Sequence, residues 1–551
     1  MQPGRAAPGR VRRRLAAGLA LVGIVAAIGV ALVRAWQERP RLPQADPIPY
    51  TDVNPYGANF FLDREVEAWK QARTLEMARA AGIGWIKQQF SWEEIEPRRK
   101  GEFDWAKYDA IVDLAERYGM EIVARLDRPP AWARPGNPLP GSPPDDPADY
   151  GDFVYAFVQH YRGRIHFIQI WNEPNLSAEW GFQRVDAVAY TALLKLAYGR
   201  AKEVDPQVVV LSAPLAITLE DASMRGNHND LVFLEEMYRA GAGDAFDILS
   251  ANAFGLDRPP EDPPARDVLN FRRVELQREI MERYGDADKP VWIDEYGWNA
   301  APATFPDELL TWERVSPGQQ ADYTVRGIAW ARHHWPWLGV VHIWYFRQVG
   351  DVAPDRAAYY FGLVDPAFNP TPAYDALRQV AQEVRAADAG LHQETSRAVS
   401  GPGWRWVPDP EASACGLLMG GDDAEALTFR FQGPRVALVA MQGPEEGRLG
   451  VLIDGQAVEG LAVDGEGRSI VDLEARRTRK QAVIALAAGL GDGPHALTLS
   501  VVGKKRVAVD GFLVSDESRG WPWLVAWACC GGLVVAGVGL WMESGRYERH
   551  G

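Results

Sequence analysis

The sequence predicts an α/β chain: a (β/α)8 TIM barrel followed by a small β-sandwich, flanked by two transmembrane helices. Three observations predict it. Short apolar runs alternate with longer helical patterns eight times between about residues 50 and 390. Short alternating strands separated by Gly, Asp and Pro turns follow from about residue 403. Long uncharged stretches occupy both ends of the 551-residue chain.

The barrel strands are expected at 56–61, 83–90, 121–127, 165–173, 207–213, 246–254, 290–297 and 339–346. Helical patterns lie between them, near 64–81, 104–118, 149–162, 186–204, 229–241, 266–284 and 317–334, with a last one at 371–386. Asp104, Asp149 and Ser316 stand where an N-cap would be, since a short polar side chain there accepts from free amides of the first turn. Strands alternating with helices imply a parallel sheet covered on its outer side, and eight such units suit a closed barrel. An open doubly wound sheet is the alternative fold; no Gly-rich phosphate turn follows any strand to favour it.

Residues 15–33 carry no charge and follow Arg5, Arg10, Arg12, Arg13 and Arg14. A helix of that length spans roughly 28 Å, about the hydrocarbon thickness of a bilayer. A cleaved signal peptide is the alternative, but no small-x-small site directly follows. Residues 521–541 form the second uncharged run, with Trp521 and Trp523 at one end and Trp541 at the other, as interfacial aromatics would be. The organisation expected is a cytoplasmic N-terminus (1–14), a span (15–33), a Pro-rich tether (34–50), the barrel (51–390), a linker (391–402), the sandwich (403–516), a second span (521–541) and a cytoplasmic tail (542–551). That topology implies a two-pass protein of the plasma membrane, a lipid bilayer partner and an extracytoplasmic barrel.

Composition narrows the chemistry. The formal charge of −15 opposes nucleic-acid binding, which needs a positive field. Three cysteines, Cys415, Cys529 and Cys530, exclude a disulfide framework and a Cys-rich zinc site. His333-His334 reads as structural or solvated, and the turn acids Asp464, Glu466 and Asp492 as solvated, with calcium binding as their alternative; no metal-ligand spacing stands out, so no metal and no cofactor is expected. The 21 tryptophans suit a membrane interface or stacking on sugars. Trp92, Trp132, Trp180, Trp298 and Trp344 all fall near the C-terminal ends of barrel strands, where barrel chemistry sits.

Two carboxylates stand at strand ends. The fourth strand closes on Trp171-Asn172-Glu173-Pro174-Asn175. Proline stops the ladder and should hold Glu173 extended at the rim. The seventh delivers Glu295, and shared parity with Val291 and Ile293 is expected to turn these three inward. Two carboxyls facing one another across a bound sugar is what glycosidic cleavage requires: one protonated to release the leaving oxygen, the other ionised to attack. The charge on Glu295 would keep Glu173 protonated.

The strings IQIWNEPNLSAEWG and WIDEYGWN resemble the clan A retaining glycoside hydrolases, most of all family 39, with family 5 as a neighbour, over about residues 50–385. The resemblance implies Glu173 as acid/base, Glu295 as nucleophile, Asn172 as the residue bonding the sugar 2-hydroxyl and Trp344 as an aromatic platform. Trp132, Trp298, Asn252 and Arg125 are further candidates for substrate contact. One departure stands out: the family's tyrosine on strand six is here Phe254, within Asn252-Ala253-Phe254. Another group would then have to aim Glu295, with Tyr296, Tyr345 and Arg125 as candidates. The C-terminal strands resemble the jelly-roll ancillary modules attached to glycosidases, implying a sugar-binding module or a spacer. The function expected is a membrane-anchored retaining glycoside hydrolase acting on a surface or extracellular polysaccharide. A non-catalytic glycan-binding scaffold and a transglycosylase are the alternatives.

Overall fold

The computed structural model describes residues 48–515, apart from 222–225, 311, 351–352, 384–385 and 415. Eight parallel strands, β1 (Tyr56–Phe60), β2 (Trp85–Ser91), β3 (Glu121–Asp127), β4 (Phe167–Ile170), β5 (Val209–Leu211), β6 (Leu249–Phe254), β7 (Val291–Gly297) and β8 (Leu338–Ile343), form one sheet in the order β5-β4-β3-β2-β1-β8-β7-β6. A parallel bridge between Leu211 and Ile248 joins its two edges, so the sheet closes into a barrel and the open alternative fails. A helix follows each strand: α1 (Ala68–Ala80), α2 (Ala106–Arg117), α3 (Pro147–His160), α4 (Ala187–Val204), α5 (Asp230–Arg239), α6 (Val274–Arg283), α7 (Pro317–His334) and α8 (Pro372–Gln382).

The caps show how locally these helices are written. Ser316 and Gln319 make a reciprocal capping box at the start of α7. Helix α3 starts earlier than expected, because Asp146 rather than Asp149 accepts from the Ala148 amide and Pro147 occupies the first turn.

The inward row of β7 differs from the parity expected. Val291 and Ile293 lie in the core shared with the helices, whereas Trp292 belongs to a cluster with Trp85 and Phe167. Those three rings, from β7, β2 and β4, meet at 4.9–5.1 Å, which only the barrel interior allows. The pairing of β6 with β7 then slips: Ala251 opposes Ile293, but Asn252 opposes Glu295. Asp294 is the extra residue of a β-bulge, and a bulge re-aims the side chains around it. Asp294 and Glu295 both reach Lys87 on β2, so both face inward. Glu295 gains the interior by this slip and not by alternation.

Twelve further strands, β9 (Gly390–Gln393) to β20 (Val507–Ser515), make two antiparallel sheets, a β-sandwich. One runs β10 (Val399–Ser400), β13 (Leu427–Gln432), β19 (Pro494–Val502), β15 (Arg448–Ile453), β16 (Gln456–Ala457), with β17 (Ser469–Asp472) on β15; the other runs β11 (Arg405–Pro408), β12 (Gly416–Gly420), β20, β14 (Arg435–Gln442), β18 (Arg479–Ala488), with β9 on β20. The stretch read as a linker, 391–402, thus supplies β9 and β10 (Val399–Ser400). The sandwich docks on the N-terminal end of the barrel. Trp406 of β11 (Arg405–Pro408) packs on Phe167 at 5.5 Å, and Gln393 and Thr395 donate to Asp52. The opposite, C-terminal mouth is left to the βα loops.

The fold class is corrected in one respect. Among the described residues no helix is long and apolar enough to cross a membrane, against the two flanking spans, the two-pass plasma-membrane localisation and the bilayer partner expected. The two longest described helices are interrupted by charge: α4 carries Lys195, Arg200, Lys202 and Glu203, and α7 carries Asp322, Arg326 and Arg332. Segments 15–33 and 521–541, with Cys529 and Cys530, and also Cys415, lie outside the described residues.

Candidate active site

Strand β4 ends at Ile170, and the next turn is held by its own side chains. Trp171 and Glu173 take positive φ values of 75° and 39°, a region that non-glycine residues enter at a cost of about 1–3 kcal/mol each. Glu173 is therefore not extended before Pro174. Gln169 Nε2 donates to the Trp171 carbonyl, Trp171 Nε1 to the Glu179 carbonyl, and the Glu173 amide to the Pro214 carbonyl. Asn175 is fully buried; its amide donates to the Ala216 and His228 carbonyls and accepts from the Ala216 amide. The sequence reading assigned Asn175 no part, yet it latches the turn that presents Glu173.

Around Glu173 the interior is polar. Asn252 Nδ2, from β6, donates to Glu173 Oε1 at 2.6 Å. Arg125 of β3 pairs with Asp127 at 2.9 Å and donates to Asn172 Oδ1 at 3.4 Å, while Gln89 donates to the other Asp127 oxygen at 2.6 Å. Glu295 Oε1 lies 3.6 Å from Lys87 Nζ, and the same ammonium is hydrogen-bonded to Asp294. Lys87 was also absent from the sequence reading; a lone lysine in an apolar strand gives no signal of the partner it will meet. Beneath them His342 of β8 is fully buried, and that burial pulls its pKa down to about 4.

Burial also dominates the two glutamates. It raises Glu173 well above the ordinary carboxylate value, and the Glu295 charge adds to the rise. The Glu173–Asn252 hydrogen bond and the Lys87 charge oppose it. Glu295 is raised by burial as well, against the cations Lys87 and Arg125 and together with the Asp294 and Glu179 charges. A buried carboxyl with an anionic neighbour keeps its proton, whereas one beside ammonium and guanidinium groups is the easier to ionise. The arrangement can therefore hold one acid and one carboxylate side by side.

The tryptophans divide. Trp92, Trp180 and Trp298 are buried. Trp298, 1% exposed, donates its indole N–H to the Arg258 carbonyl and packs between Phe271, Tyr296 and Tyr323. Trp132 and Trp344 stay half-buried; Trp132 is pinned by a bond to the Glu96 carbonyl, and Trp344 stands edge-on to Phe61 at 5.9 Å. Phe254 stacks on Trp312 at 4.3 Å in the cluster that also touches Trp344. Of the residues proposed to aim Glu295 in its place, two are engaged elsewhere. Tyr296 donates to the Tyr323 and Thr324 carbonyls on α7, and Tyr345 to those of Ala358 and Tyr359. Among the described residues no group of His, Cys, Asp and Glu is arranged to hold a metal ion.

Comparison with known proteins gives distant similarities. The family model for glycoside hydrolase family 42, described as β-galactosidase, matches residues 63–138. No curated protein matches the chain. Among solved structures, a family 39 glycoside hydrolase from the gut symbiont Bacteroides cellulosilyticus WH2 is similar at 20% identity, over 84% of this chain and 83% of that one, with a TM-score of 0.48. A β-galactosidase from the psychrophilic Marinomonas ef1 is similar at 15% identity over 60% and 59%, TM-score 0.41. Xylanase 10B from Thermotoga petrophila RKU-1, in complex with xylobiose, is similar at 16% identity over 62% and 98%, TM-score 0.42. At these identities no residue role passes from one chain to another.

Proposed function

We propose that this chain is a retaining glycoside hydrolase that cleaves O-glycosidic bonds of a saccharide by double displacement. The observation that carries the reading is the pair of buried, electrically linked carboxyls at the barrel mouth, one bonded by Asn252 and the other beside Lys87. The partial family match to a β-galactosidase model supports it.

In this reading Glu173 gives its proton to the glycosidic oxygen while a Glu295 oxygen bonds to the anomeric carbon, and the aglycone leaves as an alcohol. Forming the ester removes the Glu295 charge. Glu173, already a carboxylate after giving up its proton and now free of that repulsion, takes a proton from the water that attacks the anomeric carbon. The sugar is freed and both carboxyls return to their first states. Asn172, Asn252 and Arg125 stand where they could hydrogen-bond a sugar ring, and the half-buried rings of Trp132 and Trp344 could take its C–H face.

The test is hydrolysis of a panel of polysaccharides and 4-nitrophenyl glycosides by the wild type, Glu173→Gln and Glu295→Gln. Each substitution should lower turnover at least about 10³-fold. Azide should restore a Glu295→Gly variant and yield a glycosyl azide of inverted configuration. Undiminished hydrolysis by either glutamine variant would eliminate the assignment.

A further inference from the structure

We propose that Lys87 and Asp294 together form the device that aims the Glu295 carboxylate. The inference rests on the reading of Glu295 as nucleophile and names two positioning residues for it. Lys87 projects from β2 and is 2% exposed. An ammonium so buried must be paired, or it would shed its proton. It finds two acceptors on adjacent residues, Asp294 and Glu295. Adjacent residues of a regular strand point to opposite faces; only the bulge at Asp294 lets one cation meet both. The bulge is itself pinned from β1, where Asn59 Nδ2 donates to the Asp294 carbonyl at 2.9 Å.

Asp294 therefore anchors the cation, and Lys87, so held, stands 3.6 Å from the oxygen it attracts. That is longer than a direct hydrogen bond, so the hold on Glu295 is chiefly electrostatic. The groups facing Glu295 are Lys87 from β2, Arg125 from β3, Glu173 and Glu179 from the segment after β4, and Asp294 from its own strand. His342 of β8 faces Asp294 and is neutral, since burial depresses it. Lys87 leads the influences that favour the ionised form of Glu295, and Asp294 leads the charges that oppose it. The two substitutions should thus act in opposite directions, which a merely structural role would not produce.

The experiment uses the whole chain with Lys87→Met, Lys87→Arg, Asp294→Asn and, as control, Glu295→Gln. The readouts are the pH profile of kcat/KM on a 4-nitrophenyl glycoside that the wild type hydrolyses, and a carbon-13 NMR titration of the Glu295 carboxyl, assigned by its loss in Glu295→Gln. Lys87→Met should move the acidic limb and the titration to higher pH and lower kcat/KM at neutral pH roughly 10²-fold, mostly in kcat. Asp294→Asn should move both to lower pH, and Lys87→Arg should restore much of what Lys87→Met loses. Shifts that are absent, or of the same sign in both variants, overturn the proposal while an inactive Glu295→Gln leaves the glycosidase reading standing. An active Glu295→Gln overturns both. The NMR titration decides the matter even where a variant's turnover is too low to profile.

Discussion

Replacing Glu394 by Gln should change how stability depends on pH, and the direction follows from the barrel–sandwich junction. Glu394 is 2% exposed; Trp406 Nε1 donates to its Oε1 at 2.9 Å, and its Oε2 meets no hydrogen-bond partner. Burial holds this carboxyl well above its ordinary value of 4.5, with Asp510 and Asp52 adding to the rise. The folded state thus keeps a proton that the unfolded chain releases near pH 4.5. The contribution to stability is complete below that pH and declines as pH rises, until the folded-state group itself ionises. One proton of difference is worth about 1.36 kcal/mol for each pH unit. Gln has the same shape, still accepts from Trp406 and does not titrate. Urea unfolding at several pH values between 4 and 8 should show Glu394→Gln gaining on the wild type by up to about 1.4 kcal/mol per pH unit, reaching roughly 2–3 kcal/mol over two units. Parallel stability curves for the two proteins would refute the claim that Glu394 is buried in its protonated form.

Asn252→Ala removes the 2.6 Å donor from Glu173 and should lower kcat roughly 10- to 100-fold with less change in KM. Because that bond favours the ionised carboxyl, its loss should also carry the basic limb of the rate profile to higher pH; steady-state kinetics across pH checks both. Asp230 and Arg273 form an ion pair with neither side chain exposed, and Gln277 donates to the same carboxylate. Asp230→Ala should cost about 3–5 kcal/mol by stranding a buried cation, measured by chemical denaturation. The double variant Asp230→Leu/Arg273→Met should recover much of that.

Much of the barrel is legible in local patterns. All eight strands and their helices fall close to where the apolar runs and caps of the sequence put them. The placing of the two glutamates is legible too, because Glu173 lies just past β4 and Glu295 near the end of β7, and the barrel fold directs strand ends to one mouth. The face each strand turns inward was less so. Val291 and Ile293 look like an inward row, yet the interior is taken by Trp292, Asp294 and, after the bulge, Glu295. On a strand buried on both faces, apolar residues occupy alternate and intervening positions alike, so composition does not tell inside from outside. The tryptophans misled for a related reason. An indole beside a cleft and an indole under it look the same in a string of letters, and Trp298 proves to be enclosed by three aromatic neighbours and backbone.

What the sequence alone determined is the order of elements and the residues that end them, since helices, caps and strand stops are written within a few residues of one another. What tertiary structure decided is which distant groups meet. Lys87 and Asp294 are 207 residues apart, and they meet because the sheet curls into a closed barrel; Glu295 joins them through the bulge in the β6–β7 register. The docking of Trp406 on Phe167 likewise joins the sandwich to the end of the barrel away from the mouth. A one-residue change of register exchanges the faces of a strand, so such contacts follow from the closed sheet as a whole and are written in no single segment.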